Sequence, residues 1–169
     1  LCQYLYASRG VQCNPENIIV GAGNDYLLML LEKILGRECT VAFETPSYQR
    51  AHKIFYNSHC TVVNIPMDEQ GIRVEKLREE NVDLVYVMPS HQFPTGIVMP
   101  IGRRMELLKW ATEAQGRYII EDDYDSEFRY KGKPIPALKA ADKEGRVIYI
   151  GTFSKSIAPS IRISFMVLP

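Results

Sequence analysis

Short apolar runs alternate along this chain with longer segments of helical periodicity. The apolar runs predict strands at residues 17–21, 40–44, 60–65, 83–88, 117–121 and 146–150. The segments between them predict helices at residues 24–35, 47–57, 73–80 and 101–115. Strands that alternate with helices build βαβ units, so the predicted fold class is α/β with a mostly parallel sheet.

Three local features refine this topology. Only residues 151–161 separate the strand at 146–150 from a final predicted strand at 162–168, and a parallel crossover needs about a dozen residues or more. The final strand, which follows Lys155, is therefore expected to run antiparallel. Residues 68–71 predict a turn, and Pro46 is expected to open the helix at 47–57.

The composition is that of a globular protein. With 46% hydrophobic residues, the chain is expected to form one domain over residues 1–169. Its 20 Lys and Arg balance 20 Asp and Glu, which leaves no electrostatic footprint for nucleic acid. No apolar stretch approaches the roughly 18 residues of a membrane span and no signal peptide is evident, so a cytoplasmic protein without a membrane partner is expected. The four cysteines are expected to be free thiols: Cys2, Cys13, Cys39 and Cys60.

Lys155 ends the segment 151–155, directly after the predicted strand at 146–150. A lysine amine at a strand end, with hydroxyl groups beside it and Arg162 nearby, suits covalent attachment of an aldehyde whose phosphate must also be bound. Pyridoxal phosphate (PLP) is such an aldehyde. An ordinary surface lysine in a loop rich in Ser and Thr is the alternative.

Acidic residues crowd the end of another predicted strand, in the segment 121–127. A buried carboxylate beside a pyridine nitrogen favours the protonated ring on which the electron-sink chemistry of PLP depends. A calcium-binding EF-hand register from Asp123 fails, because Phe128 and Pro134 stand where Gly and Glu are required. A solvated acidic turn is the remaining alternative.

Two more strand ends carry candidate binding groups. The small-residue turn at 21–25 precedes a helix, whose amino terminus directs backbone N–H groups toward an anion such as phosphate. A plain helix start is the alternative for this turn. After residues 41–43, Tyr48 could stack on a planar heterocycle and Arg50 could pair with a carboxylate. A half-buried tyrosine and a surface arginine are the alternative there.

A loop bounded by proline and glycine at 89–96 contains His91. His52, His59 and His91 share no ligand spacing with one another or with the cysteines, so no metal site is expected.

These segments resemble fold-type I PLP proteins, the aspartate-aminotransferase superfamily, and more narrowly the aminotransferase-like domain of MocR-type transcriptional regulators of the GntR superfamily. The resemblance rests on residues 89–96, 121–130 and 151–155, and it extends from Arg9 to the end of the chain. It implies a three-layer α/β large domain.

The resemblance also implies a role for each matching residue. Lys155 would form the internal aldimine with PLP. Asp122, rather than Asp123, would face the pyridine nitrogen, and Tyr124 would lie near the 3-hydroxyl. The residues implied to bind the phosphate are Gly23, Asn24, Thr152, Ser154 and Arg162.

On the same resemblance, Tyr48 would stack on the cofactor ring and Arg50 would contact the carboxylate of an effector. One departure stands out. Ordinary aminotransferases have Asn where this chain has Phe93, and that Asn hydrogen-bonds the 3-hydroxyl of PLP. Either His91 or Gln92 substitutes for it, or the contact is lost.

The implied function is effector sensing, in which an amine or amino-acid effector forms an external aldimine with PLP. A genuine aminotransferase, which transfers amino groups between amino and keto acids, is the rival hypothesis, and a cofactor-free dimerisation module is the third. The parent protein is expected to be a homodimer that binds DNA only through a winged-helix domain. That domain and a carboxyl-terminal small domain are expected to lie outside this chain, so the isolated chain is expected to bind PLP weakly and to lack transaminase activity.

Overall fold

The computed structural model describes residues 1–36, 38–125, 136–153, 160 and 162–169. The helices are α1 (Cys2–Arg9), α2 (Asn24–Leu35), α3 (Gln49–Asn57), α4 (Val74–Glu79) and α5 (Ile101–Thr112). The strands are β1 (Ile18–Gly21), β2 (Thr40–Thr45), β3 (Thr61–Asp68), β4 (Gly71–Ile72), β5 (Leu84–Val87), β6 (Tyr118–Asp123), β7 (Val147–Thr152) and β8 (Ser164–Val167). Among the described residues, no helix combines the length and the apolar character needed to cross a membrane.

The eight strands form one sheet in the order β1-β8-β7-β6-β5-β2-β3-β4. The pairs from β7 through to β3 are parallel, which confirms the predicted α/β class and its mostly parallel sheet. β8 runs antiparallel to both β7 and β1, as expected for the strand after Lys155. β4 is a second antiparallel strand that the sequence did not predict. It pairs with β3 through the predicted turn at 68–71, and two residues are too short to show a strand period.

Helices cover both faces of the sheet, which gives the three layers that the resemblance implied. On one face α2 and α3 pack on the sheet through a buried cluster that includes Leu28, Phe43 and Phe55. On the other face α4 and α5 pack through a cluster that includes Leu77 and Trp110. A smaller cluster lies beneath α1, against β7 and β8. Burial of these apolar faces is the main contribution to the stability of the fold.

Two helices differ from the sequence-based expectation. α1 was not predicted, because only Leu5 and Arg9 of its eight residues are buried and its apolar pattern is correspondingly weak. α3 begins at Gln49 and not at residue 47, so Pro46 does not open it. Tyr48 has extended backbone angles (φ −72°, ψ 103°), which keep the helix from starting earlier.

The carboxyl ends of the parallel strands meet at one edge of the sheet. β6 pairs with β7 so that Asp122 lies opposite Ile150, and Thr152 at the end of β7 lies opposite Ser164 at the start of β8. In open α/β sheets this edge is where ligands bind. The fold therefore gathers the polar strand ends that the sequence analysis singled out.

Candidate functional site

A cavity of about 260 Å³ opens at this edge of the sheet, beside the amino terminus of α2. Aromatic and polar side chains line it together, as is typical of small-molecule sites. The lining residues are Gly23, Asn24, Asp25, Tyr48, Arg50, Met88, Phe93, Asp122, Tyr124, Thr152, Arg162 and Ser164.

Asp122 is the buried carboxylate of the cavity, with 4% of its surface exposed. It accepts hydrogen bonds from the hydroxyl group of Tyr86 and from Nδ2 of Asn24, the latter at 3.2 Å. Burial raises the pKa of Asp122 to about 6, while the hydrogen bonds from Tyr86 and Asn24 act in the opposite direction. Within the part of the chain that the structure describes, no cation forms an ion pair with Asp122. Among the described residues, the donors to this carboxylate are thus both neutral.

The turn before α2 lies against the guanidinium of Arg162. Gly23 has φ 101°, in the region that favours glycine, and a Cβ atom at this position would lie 2.7 Å from Nη2 of Arg162. Glycine therefore lets the Arg162 guanidinium approach the first turn of a twelve-residue helix. The helix amino terminus and the guanidinium both favour negative charge at this point. Oδ1 of Asn24 is buried here without a hydrogen-bond partner among the described residues.

Tyr124, His91 and Asp125 form a connected group behind the cavity. Nδ1 of His91 lies 2.9 Å from Oδ2 of Asp125 and 3.4 Å from the Tyr124 hydroxyl. The Asp125 side chain is only 3% exposed, so its carboxylate fixes the orientation of the imidazole. Of this group, Tyr124 reaches the cavity lining.

Gln92 is not among the residues that line the cavity. Its Nε2 donates to the carbonyl oxygen of Pro46 at 2.7 Å, and its Oε1 accepts hydrogen bonds from the backbone N–H and the hydroxyl of Thr95. Gln92 therefore joins the loop after β5 to the loop after β2. Of the two candidates, His91 is the one in contact with Tyr124.

The outer wall of the cavity carries Tyr48 and Arg50. The Tyr48 ring meets Phe93 edge to face, with 6.1 Å between the centroids. The Arg50 guanidinium lies 3.5 Å from Asp25, and 68% of its side chain is exposed. Because this ion pair is long and solvated, it holds Arg50 weakly and leaves the guanidinium accessible to a ligand.

The structure brings most of the sequence-predicted residues together. Those that line the cavity are Gly23, Asn24, Tyr48, Arg50, Asp122, Tyr124, Thr152 and Arg162. His91 is not in the lining and contacts the site through Tyr124. Ser154 and Lys155 lie outside the described residues, so their assignments stay predictions from the sequence.

The acidic run that begins in the last residues of β6 is not a solvated turn, so that alternative is wrong for its described members. Glu121, Asp122, Asp123 and Asp125 are all at most 6% exposed. Asp123 points away from the cavity, because neighbouring strand residues face opposite sides of a sheet.

Sequence reasoning missed two residues that hold the site in place. Tyr86 lies in β5, where all four residues are buried, so no alternation marks it as a donor to the cavity. Asp125 pairs with His91 across 34 positions of sequence, and no local pattern reports such a contact.

Comparison with known protein families identifies the family of this chain. The family model described as aminotransferase class I and II matches residues 1–167. The chain belongs to this family. The expected resemblance to fold-type I aminotransferases is thereby confirmed.

Curated proteins that are similar to this chain include transcriptional regulators. An uncharacterized helix-turn-helix (HTH)-type regulator of Bacillus subtilis, YdeL, is 53% identical over the whole chain, which covers 36% of the regulator. The probable rhizopine catabolism regulatory protein MocR of Rhizobium meliloti is 40% identical, again over the whole chain and 34% of the regulator. This confirms the resemblance to MocR-type regulators, and the chain spans about a third of their length.

Solved structures in the family include enzymes. A kynurenine aminotransferase from Pyrococcus horikoshii, solved in complex with PMP, is 36% identical and superposes with a TM-score of 0.89. The match covers 99% of this chain and 43% of that enzyme. This chain is therefore similar both to transcriptional regulators in sequence and to an enzyme in sequence and structure.

Proposed function

We propose that this chain is the PLP-binding, effector-sensing domain of a MocR-type transcriptional regulator. The observation that carries the proposal is the environment of Asp122. Burying a carboxylate is costly unless it is paired, and no described cation pairs with Asp122. A protonated pyridine nitrogen would supply the missing positive charge, and it would lower the pKa of Asp122 from its raised value.

The other cavity residues also fit PLP. The Gly23 turn, the amino terminus of α2 and Arg162 suit a phosphate. Tyr48 offers an aromatic face to the ring, and Tyr124 offers a phenol backed by His91 and Asp125. When bound, PLP supplies an electron sink for amine substrates or effectors. Lys155 is proposed as the point of covalent attachment, on sequence grounds.

Recognition of the effector is proposed to involve Arg50. Its guanidinium lines the cavity, is largely exposed and is held only by a long contact to Asp25. A guanidinium of this kind can bind the carboxylate of an amino acid with two parallel hydrogen bonds. This supports the amino-acid class within the proposed amine or amino-acid effectors.

The arrangement of the whole protein is also part of the proposal. Residues 1–169 would form the core of the large domain, and a winged-helix domain and a small domain would lie in the rest of the protein. The HTH-type relatives, of which this chain covers about a third, support that arrangement. DNA would be bound only through the winged-helix domain, and the protein would act as a homodimer.

A second candidate function is amino transfer itself. The likeness to a kynurenine aminotransferase at 36% identity favours it, because an active enzyme shares this fold and much of this sequence. Regulator and enzyme would use the same cofactor-binding residues. Turnover of an amino acid with a keto acid by the intact protein would favour the enzyme.

The first test measures PLP binding by the intact protein. We expect visible absorbance from lysine-bound PLP, and borohydride reduction followed by peptide mapping should place the cofactor on Lys155. Asp122→Asn should weaken PLP binding by roughly tenfold to a hundredfold, since it removes a charge-assisted contact.

Glu44→Gln is the matched control for Asp122→Asn. Glu44 is another buried carboxyl group at a strand end, and its burial raises its pKa to about 7. It is not in the cavity lining, so PLP affinity should stay within about threefold of the parent value. Trapping of PLP on a different lysine, or equal losses in the two variants, would count against the proposed site.

A further inference from the structure

A second cavity lies at the opposite edge of the sheet, where the parallel strands begin. Its volume is about 460 Å³, and Cys39, Glu38 and Asp83 are among its lining residues. The proposed cofactor function does not use this end of the molecule. This end of the molecule also carries two cysteines, Cys39 and Cys60, whose sulfur atoms are in contact.

Cys39 and Cys60 directly precede β2 and β3, which pair in parallel from Thr40 opposite Thr61. The backbone N–H of Thr61 donates to the carbonyl oxygen of Cys39 at 3.1 Å, so the two cysteines are neighbours at the start of the ladder. Adjacent strands are about 4.8 Å apart, within the Cα separations of about 4.4–6.8 Å that a disulfide spans. The usual spacing of paired strands is therefore compatible with a bridge between the two cysteines.

The side chains already point toward each other. The two Sγ atoms are 2.9 Å apart, and both residues are buried, with 8% of Cys39 and 5% of Cys60 exposed. Both cysteines are free thiols in this structure. Such a contact leaves only a short further approach before the sulfurs reach bonding distance.

We propose that Cys39 and Cys60 form a redox-modification site, at which a small disulfide oxidises the thiol pair to an intrachain disulfide. The second cavity gives the oxidant access to Cys39. This proposal does not depend on PLP binding, because none of the groups involved lines the candidate functional site.

The exchange proceeds in two steps. Deprotonated Cys39 attacks one sulfur of the small disulfide, whose S–S bond breaks, and one small thiol leaves with the proton that Cys39 lost. Cys60 then attacks the Cys39 sulfur, the mixed disulfide breaks, and the second small thiol leaves with the proton of Cys60. The protein loses two electrons and two protons, and the small disulfide is reduced to two thiols.

Burial makes this reaction slow at neutral pH. It raises the pKa of the Cys39 thiol to about 12, with the hydrogen bond to Cys60 and the nearby Asp83 carboxylate acting in the same direction. The thiolate is the reacting form, so little of Cys39 is reactive at any moment. The disulfide is thus a response to sustained oxidation.

The bridge would also act on the region between the two cysteines. Residues 39–60 include Tyr48 and Arg50, which line the candidate functional site at the far end of β2. A cross-link at the start of β2 and β3 would close this segment into a loop and restrict its unfolding.

The experiment is done in a Cys2→Ser/Cys13→Ser background. Cys13 has a side-chain hydrogen bond to Cys2, so these two thiols are a second pair that must be removed. The folded protein is equilibrated with 2-hydroxyethyl disulfide and its thiol, quenched with acid, unfolded and alkylated with N-ethylmaleimide. Peptide mapping then reports the state of Cys39 and Cys60.

We expect a peptide pair linked through Cys39 and Cys60, without alkylation at either residue, and restoration of both labels by dithiothreitol. The folded protein should tolerate at least about a tenfold more reducing thiol-to-disulfide ratio than the urea-unfolded protein before the link is lost. Its Tm should rise by several degrees on oxidation. Cys39→Ser in the same background should show neither the link nor the rise in Tm.

Three outcomes would overturn the proposal. Both thiols could remain free under oxidising conditions, the link could join two chains, or it could be no more stable in the folded than in the unfolded protein. Peptide mapping of the wild-type chain gives the same distinction if the double-serine background does not fold.

Discussion

Asp122 and Asp123 are neighbours at the end of β6, but they lie on opposite faces of the sheet and have different partners. Asp123 lies 2.7 Å from Nε of Arg9, and the Tyr149 hydroxyl donates to it at 2.7 Å. Asp122 faces the cavity, where Tyr86 and Asn24 are its donors. One carboxylate is neutralised inside the protein, and the other is held without a described positive partner.

The two aspartates therefore have different roles: Asp123 stabilises the fold, and Asp122 is available to a ligand. Arg9 also donates to Oγ of Ser90 at 2.6 Å, so its ion pair with Asp123 ties α1 to β6 and to the loop after β5. The neutral donors around Asp122 fix its geometry but leave most of its charge for a ligand. An uncompensated buried charge is a cost to stability that functional sites commonly carry.

The largest expected change in stability comes from removing the ion pair between Arg9 and Asp123. Arg9→Met keeps an apolar stem but leaves the Asp123 carboxylate buried without its cation, so the free energy of unfolding should fall by about 3–5 kcal/mol. Urea denaturation monitored by circular dichroism measures this change. Arg78→Met is the control, because the Arg78 pair with Glu113 is partly exposed and should contribute at most about 1 kcal/mol. Equal losses in the two variants would contradict the assigned role of Arg9.

Asp122→Asn is expected to raise the free energy of unfolding, whereas Arg9→Met lowers it. The folded-state pKa of Asp122 is raised from 3.8 to about 6, so Asp122 lowers stability progressively as the pH rises through that interval. Asn has a similar shape and does not ionise. The variant should therefore gain about 1–3 kcal/mol of unfolding free energy at pH 7.5 and nothing at pH 3.5.

Urea denaturation at the two pH values, without PLP, tests this prediction. Asp123→Asn is the control and should destabilise the protein at pH 7.5, since it removes the buried carboxylate that forms an ion pair with Arg9. Destabilisation by both substitutions would show that the two carboxylates do not differ as described.

The faces of the sheet on which Asp122 and Asp123 lie could be predicted from the sequence, but their hydrogen-bond and ion-pair partners could not. Strand alternation places Asp122 and Asp123 on opposite faces, and the family resemblance identifies which of them faces the cavity. Periodicity likewise predicted α2, α5 and the parallel strands, because each buries a regular apolar pattern.

What the sequence could not provide was the identity of long-range partners. Arg9 lies in the unpredicted α1, and it meets Asp123 across more than a hundred positions of sequence. Tyr86 lies in a uniformly buried strand, and the short pairing of β4 with β3 has no period of its own. Such contacts depend on which elements the fold places side by side, and a local pattern does not encode that placement.

A smaller change in the free energy of unfolding is expected when Tyr86, a hydrogen-bond donor to Asp122, is replaced. Tyr86→Phe removes the phenolic hydrogen bond that lowers the pKa of Asp122, so this pKa should rise further above its ordinary value. The loss of stability should be about 1–2 kcal/mol at pH 7.5 and smaller at acidic pH. Denaturation curves between pH 4 and pH 8 would measure it. A loss that is the same at every pH would mean that Tyr86 acts by packing alone.

The smallest effect on stability is expected at the rim of the cavity. Arg50 and Arg9 are both arginines near aspartates, but the Arg50 side chain is 68% exposed and lies 3.5 Å from Asp25. Arg50→Ala should therefore change the free energy of unfolding by no more than about 0.5 kcal/mol. Its effect on ligands should be larger: binding of amino acids to the PLP-loaded intact protein should weaken by about tenfold or more, because a charge-assisted carboxylate contact is lost. Amines of similar size without a carboxylate are the control ligands and should bind both proteins equally in a spectroscopic titration. A similar loss for both classes of ligand would remove Arg50 from the proposed effector site.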